Sequence, residues 1–375
     1  LKILALNWQD PKNPMGGGAE VHIWENLKRF AAWGHEVTLL CSDFEGGGPE
    51  DFYDGVRILR KGKRFNFNYI APGMVKRALK ENKYDILLED INKIPFYTPL
   101  YARLPILVII PHLFATTVFR EINFVMGSYI YLMEQPLRWI YRRFPYCVIS
   151  SSTKTDLIKR GIQADNITVV ECGIDEQTYC YDKAVKKYDQ PTALYLGRIK
   201  KYKSIQHLLR AWPRVLGVTP EARLQVVGDG DYLGTLKKLA ADLRISNSVE
   251  FPGFVSRESK VERFRKSWCT VYPSLKEGWG LTNIEANACG TPALAADSPG
   301  LRDSVDNGKS GLLFEYGNVD AISSSILKVF QDGEFRNKLS TGALEWARKF
   351  NWDDSAGQML KLIEKIVALS KKKSQ

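Results

Sequence analysis

Two glutamates, Glu277 and Glu285, stand eight positions apart around the turn Gly278-Trp279-Gly280. They belong to the stretch Pro273 to Pro292, PSLKEGWGLTNIEANACGTP, which follows the strand-like apolar run Cys269 to Tyr272. Leu281 to Ala288 reads as a short helix closed by Cys289-Gly290. A glycine loop feeding a helix start presents backbone N–H groups to an anion. Carboxylates repel that anion, so the glutamates suit hydroxyl groups on the same ligand. A lone glutamate is usually a solvated charge; one in the loop and one on the adjoining helix point to a shared site.

Other residues could complete such a site. Gly16-Gly17-Gly18-Ala19-Glu20 lies between an apolar run and a helical pattern, where the backbone can approach a phosphate or sugar. It is not the dinucleotide fingerprint, because Val21 stands where the third glycine is required. Gly197-Arg198, with Lys203, leaves a strand end, and paired cations there suit a diphosphate, although Lys200 and Lys201 show how common surface charge is nearby. Gly228-Asp229-Gly230 reads as a turn. Gly308-Lys309-Ser310 mimics the end of a P-loop, but Asp303 occupies the position of the upstream glycine. His112 follows Pro111 at the end of an apolar run; a lone histidine is more often structural.

These residues need a scaffold that brings strand ends together. Ile3 to Asn7, Glu36 to Leu40, Val56 to Leu59, Ile86 to Leu88, Pro105 to Ile110, Tyr146 to Ser150 and Thr168 to Val170 read as strands, with a helix over Val21 to Trp33. Continuous apolar runs suit parallel strands covered on both faces. The polar segment 182–190 is expected to be a linker. A second series follows, with strands at Ala193 to Leu196, Arg223 to Val227, Val249 to Phe251, Cys269 to Tyr272 and Pro292 to Ala295. Helices are predicted over Ile205 to Val215, Tyr232 to Leu243, Glu258 to Lys266, Asp320 to Gln331, Glu334 to Phe350 and Asp354 to Ser370. The fold class is thus α/β, two doubly wound Rossmann-like domains facing a cleft, with ligands beyond the carboxyl ends of the strands. Expected boundaries are 1–181 for the N-terminal domain and 191–353 for the C-terminal one. The helix at about 354–375 is expected to pack back on the former.

The segment Phe119 to Phe144 is rich in Tyr, Phe, Trp and Arg. Aromatic stripes at helical spacing usually pack inward, so an amphipathic helix on the core is the preferred reading over an acceptor or membrane-surface face. The chain of 375 residues, 45% hydrophobic and 25% charged, is that of a globular protein of two domains. A net charge of +11 fits an anionic partner: nucleic acid, a nucleotide-linked substrate or an acidic membrane surface. Six scattered cysteines without a Cys-x-x-Cys pair favour neither a zinc site nor a disulfide framework. Without a signal peptide or a spanning apolar run, a cytoplasmic location is expected.

Taken in order, these residues resemble the retaining glycosyltransferases of family 4, with the glycosyltransferase-B fold. The likeness runs through Gly17 to Glu20, Trp33 to Val37, Val148 to Leu157 with Gly161-Ile162, and Cys172 to Asp175. It continues through Leu196 to Arg198 with Lys203, Val227 to Gly230, Pro252 to Val255, and the spacing E-x7-E from Glu277 to Glu285. The resemblance implies a nucleotide diphosphate sugar donor, with Arg198 and Lys203 on its diphosphate. The backbone amides of Gly280, Leu281 and Thr282 would hold the distal phosphate, with Gly278 and Trp279 also among the donor-binding residues. Glu285 would take the ribose, Phe254 and Val255 the base, and Gly17 and Gly18 would close over phosphate and sugar. Glu277 would stabilise the transferred sugar, with His112 the second catalytic candidate. It further implies no cofactor and no metal, the cations supplying the positive charge. The expected acceptor is a glycan or a lipid-linked glycan, with no nucleic-acid partner and a peripheral contact on the inner membrane face left open. Nucleotide-sugar epimerisation or non-catalytic nucleotide-sugar binding are the alternatives. Three positions depart from the family pattern: Pro111 precedes His112 where histidine is usual, Ser204 replaces glycine, and Cys172 replaces asparagine.

Overall fold

The computed structural model describes residues 1–92, 94–113, 118–119 and 124–374. It divides into two units, Leu1–Gly173 with Trp352–Gln375, and Ile174–Asn351. The first unit runs β1 (Lys2–Leu6), α1 (Gly18–Ala32), β2 (Glu36–Cys41), β3 (Glu50–Tyr53), β4 (Val56–Arg60), α2 (Phe67–Glu81), β5 (Ile86–Asp90), β6 (Ile106–Ile110), α3 (Phe124–Glu134), α4 (Leu137–Ile140), β7 (Tyr146–Val148), α5 (Ser151–Lys159) and β8 (Ile167–Val169). The second runs β9 (Thr192–Leu196), α6 (Ile205–Val218), β10 (Arg223–Val227), α7 (Leu233–Asp242), β11 (Val249–Gly253), α8 (Arg257–Lys266), β12 (Cys269–Tyr272), α9 (Leu281–Ala288), β13 (Ala293–Ala296), β14 (Gly311–Phe314), α10 (Val319–Gln331) and α11 (Gly333–Ala347). The chain then returns to the first unit as α12 (Trp352–Ser374).

Among the described residues, the first unit carries one sheet in the order β3-β4-β2-β1-β5-β6-β7-β8, parallel except for the β3–β4 hairpin. The alternation of a strand explains its two cores. Leu4 and Leu6 of β1 face Phe67, Ala71 and Val75 of α2, while Ile3 and Ala5 join the cluster of Ile23, Leu27 and Phe30 from α1. Ala356, Met359, Ile363 and Val367 of α12 lie in that second cluster. The last helix therefore completes the first unit.

The second unit has the order β11-β10-β9-β12-β13-β14, with all pairs parallel. From β9 the chain winds one way through β10 and β11, then returns to the other side of β9 with β12. The sheet reverses direction there, and in such sheets ligands bind at the carboxyl ends of the strands flanking the reversal. In the first unit the corresponding reversal lies between β1 and β5.

The structure corrects the reading of several segments. Residues 182–190 belong to the second unit and are no free linker. Lys187 is half-buried, its Nζ donating to Ser267 O at 2.8 Å and Thr291 Oγ1 at 2.6 Å, and Tyr188 N donates to Lys266 O at 2.9 Å. A polar segment can bury when its groups find such partners. The crossing points fall at Gly173–Ile174 and Asn351–Trp352 rather than near 181 and 353. The preferred inward reading of Phe119 to Phe144 holds for one side of α3, where Tyr129, Ile130 and Met133 pack partly buried against the core, while Phe124, Val125 and Leu132 are exposed. It also holds for α4 and its end, where Leu137 and Tyr141 are buried and Tyr141 OH donates to Glu89 Oε1 at 2.6 Å. Residues 120–123 of that segment lie outside the described residues. Gly308 to Ser310 forms the turn into β14, with Ser310 N donating to Asp306 O at 2.8 Å.

Candidate active site

The loop after β12 meets the loop after β9, because the two strands are neighbours. Lys203 sits on a single turn, Lys201–Lys203, and its Nζ lies 2.5 Å from Glu277 Oε1. Leu275 N donates to Tyr202 O at 3.1 Å, so the two loops are tied by backbone as well. Glu277 N in turn donates to Pro299 O at 2.9 Å. Burial works against the Lys203 ammonium, but the Glu277 carboxylate outweighs it and raises the pKa above the usual lysine value. Ser204 adopts a left-handed backbone with φ of 56°, which accounts for the glycine usual at this place. Its Oγ contacts Tyr316 OH at 3.0 Å.

Gly280 caps α9 with φ of +88°, and no side chain caps that end. A Cβ on Gly280 would come within 2.7 Å of Ser304 Oγ, so both the turn and its packing demand glycine. The helix start, with Leu281 and Thr282 half-buried, directs amide N–H groups outward from the loop. Asn283 and Asn287 anchor the helix from below: Asn283 Nδ2 donates to Ser304 Oγ at 2.8 Å, and Asn287 Nδ2 to Thr291 O at 3.0 Å. Trp279, expected among the donor contacts, has its ring buried edge-on against Phe350 at 5.4 Å. Its side chain anchors the loop, and only its backbone is left to meet a ligand.

Glu285 lies one turn along α9, with Lys260 Nζ of α8 at 2.7 Å from its Oε2. The ring of Tyr179 stands 5.0 Å from the same ammonium. Burial lowers and Glu285 raises the Lys260 pKa, with a net rise. Neither Lys260 nor Tyr179 was singled out from the sequence, since no spacing links 179, 260 and 285. Arg198 is exposed at the end of β9, held by Tyr195 OH donating to its carbonyl at 3.0 Å. Beyond β11, Phe254 is exposed (87%) and Val255 half-buried. Gly228 N donates to Gly253 O at 2.8 Å, and a Cβ on Gly228 would lie 2.0 Å from Gly197 O, so these strand-end loops pack backbone to backbone.

In the first unit, Gly17 precedes α1 and its N–H donates to Glu20 Oε2 at 2.8 Å. Asn92 Nδ2, at the end of β5, reaches Asn7 Oδ1 at 2.9 Å and Glu20 Oε1 at 3.3 Å. The glycine loop is thus braced across the β1–β5 reversal, and the Gly17 amide serves the helix cap rather than a phosphate. Gly18 opens the helix. His112 follows β6 half-buried, behind Pro111, whose carbonyl accepts from Thr153 Oγ1 at 3.1 Å. Among the described residues no group of three or more His, Cys, Asp or Glu could hold a metal ion. No described helix is long and apolar enough to cross a membrane.

Residues 16–178 match the model of Glycosyltransferase Family 4, and residues 181–346 that of Glycosyl transferases group 1. A D-inositol 3-phosphate glycosyltransferase of Corynebacterium jeikeium is 35% identical over 179 residues, covering 46% of this chain and 43% of that protein. The chain thus spans less than half the length of that relative. An uncharacterised glycosyltransferase of Methanocaldococcus jannaschii is 29% identical over 95% of this chain and 96% of its own. The Anabaena protein HepE, solved with UDP-glucose, superposes with a TM-score of 0.76 at 18% identity, over 97% of this chain and 99% of that one, and shows the glycosyltransferase-B fold. The two models leave only 1–15, 179–180 and 347–375 unmatched, and the chain belongs to glycosyltransferase family 4.

Proposed function

We propose that this protein transfers a sugar, with retention of anomeric configuration and without a metal, from a nucleotide diphosphate sugar to an acceptor hydroxyl. The observation that carries this reading is the Lys203–Glu277 pair beside the uncapped start of α9. A cation and helix amides suit the diphosphate, and a carboxylate beside them suits a sugar that gains positive charge. Glu285, eight residues on, fits the ribose hydroxyls. HepE, of the same fold, has been solved with UDP-glucose, which supports this class of donor.

In the proposed reaction the bond from the anomeric carbon to the leaving phosphate breaks, and the bond to the acceptor oxygen forms on the same face. The acceptor proton passes to a phosphate oxygen as it leaves. Arg198 and Lys203 stabilise the departing diphosphate and Glu277 the oxocarbenium-like sugar, and His112 is kept as the second catalytic candidate. No protein nucleophile is assigned, and trapping of a covalent glycosyl-enzyme would refute this route. The acceptor is proposed to be a cell-surface or lipid-linked glycan, with the enzyme in the cytoplasm or at the inner face of a membrane.

The deciding experiment screens nucleotide sugars for release of nucleoside diphosphate, then adds acceptors to the donor that is hydrolysed. Product coupling constants in NMR should match the donor's configuration, and turnover should persist in chelator. An inverted product, or binding without turnover for every donor and acceptor, would overturn the assignment.

A further inference from the structure

We propose that the face of the first unit formed by the start of α2, α3 and α4 docks on an anionic lipid bilayer. Helix α3, FVMGSYIYLME, sets Tyr129, Ile130 and Met133 partly buried against the core and leaves other apolar side chains outside it. Phe124 is 77% exposed, Val125 76% and Leu132 64%. Single exposed apolar side chains are ordinary, but several on one helix whose other side packs on the core mark a surface that meets something. The surface continues onto the start of α2. Tyr69 OH lies 2.7 Å from Tyr129 OH and Asn68 Nδ2 donates to the same hydroxyl at 3.1 Å, which joins Phe65 (81% exposed) and Tyr69 to the patch. Trp139, 63% exposed in α4, carries the Arg138 guanidinium over its ring at 4.1 Å.

Charge selects the occupant. Lys61, Lys63 and Arg64 precede α2, and Arg138, Arg142 and Arg143 follow α3, all of them exposed. Among the described residues of 61–70 and 124–144 the sole acid is Glu134, which is buried. A second copy of this face would set six cations against six. A neutral glycan would leave the cations without counter-charge and the aliphatic side chains in water. An anionic bilayer accommodates both: aromatic and aliphatic side chains enter the interface while lysines and arginines meet lipid phosphates. This deepens the proposed function, and rests on it, only in naming where a lipid-linked acceptor would be met. Vesicle binding involves no turnover, so either reading can fail alone.

The test is co-sedimentation of the full chain with vesicles of equal parts phosphatidylglycerol and phosphatidylcholine, and with vesicles of phosphatidylcholine alone, at low and high salt. Binding is expected on the anionic vesicles, weakened by salt, and absent on the neutral ones. Combined Arg138→Glu, Arg142→Glu and Arg143→Glu should weaken it by about five-fold or more per cation. Phe124→Ser with Val125→Ser should weaken it about ten-fold while leaving the salt dependence intact. Circular dichroism and nucleoside diphosphate affinity, a property of the second unit, control for folding. If the apolar variant fails to fold, the charge variant decides. Equal recovery with both vesicle types, variants that sediment like the parent, or a dimer lost on Phe124→Ser would each overturn the proposal.

Discussion

Each of the two site carboxylates has a cation, Lys203 on Glu277 at 2.5 Å and Lys260 on Glu285 at 2.7 Å. On the proposed function, a donor entering the site would exchange these partners: its diphosphate would take Lys203 and free Glu277 for the sugar. Glu277→Gln keeps the shape but removes the charge facing the developing cation, so kcat should fall by about two to three orders of magnitude. Nucleoside diphosphate affinity should change little; a variant that loses both would show that Glu277 only shapes the loop. Lys260→Met should instead act on binding, since it leaves Glu285 half-buried beside no cation. We expect KM for the donor to rise about ten-fold with kcat nearly unchanged. The pH dependence has a definite sign. Both lysines have pKa values raised above 10.5 by the adjoining carboxylates against the effect of burial. Their contribution is complete below that value and fades only above it, so titration calorimetry should find nucleotide affinity undiminished by lysine deprotonation across the neutral range.

At the scale of elements, α1 carries an unusual burden. His22 is fully buried 6.2 Å from Trp352 at the start of α12, and neither ring nitrogen has a hydrogen-bond partner. Burial lowers its pKa from 6.5 to about 4. Below pH 6.5 the unfolded chain binds a proton that the folded chain refuses. Stability should therefore decline as pH falls toward 4 and then level, by on the order of 3 kcal/mol. His22→Leu should remove that part of the decline, which urea midpoints at stepped pH would reveal; an unchanged slope would assign the acid sensitivity elsewhere. The elements that were legible in the sequence are those with unbroken apolar runs, such as β9, β10 and β12, together with the loop-to-helix junction at α9. Helix α2 was not, although Phe67, Ala71, Val75 and Ala78 line one face, because Pro72 and Gly73 interrupt the pattern. Strand β14 is four residues after a polar turn, and its pairing with β13 depends on Gly311, where a Cβ would lie 1.8 Å from Ala293 O. The site carboxylates could be read from their spacing, whereas Lys260 and Tyr179 come together only in three dimensions.

At the scale of the whole chain, the informative feature is the return of α12 to the first unit. The polar segment 182–190 looked like the divide, yet Lys187 bonds into the second unit, and the crossing occurs at 173–174 and 351–352. Ala356, Met359 and Ile363 are fully buried among Ile23, Leu27, Phe30 and the strands of the first sheet. Removing such side chains leaves cavities costing about 2–5 kcal/mol for each large residue. Deletion of 352–375 exposes the whole strip and should exceed the stability of an ordinary unit of this size, about 5–15 kcal/mol. The second unit loses none of its own core by the same cut, since the second-unit cluster around Tyr195, Trp212 and Val271 contains no residue of α12. Hydrogen exchange read by mass spectrometry should then show lost protection in β1, β2 and β5, with protection retained in β9, β10 and β12. Nucleoside diphosphate should still slow exchange around Gly280 and Glu285. Retained protection in β1 would mean that α12 is dispensable to the first unit's core, against its burial. Loss in both units would mean that the second unit cannot hold its sheet without the first.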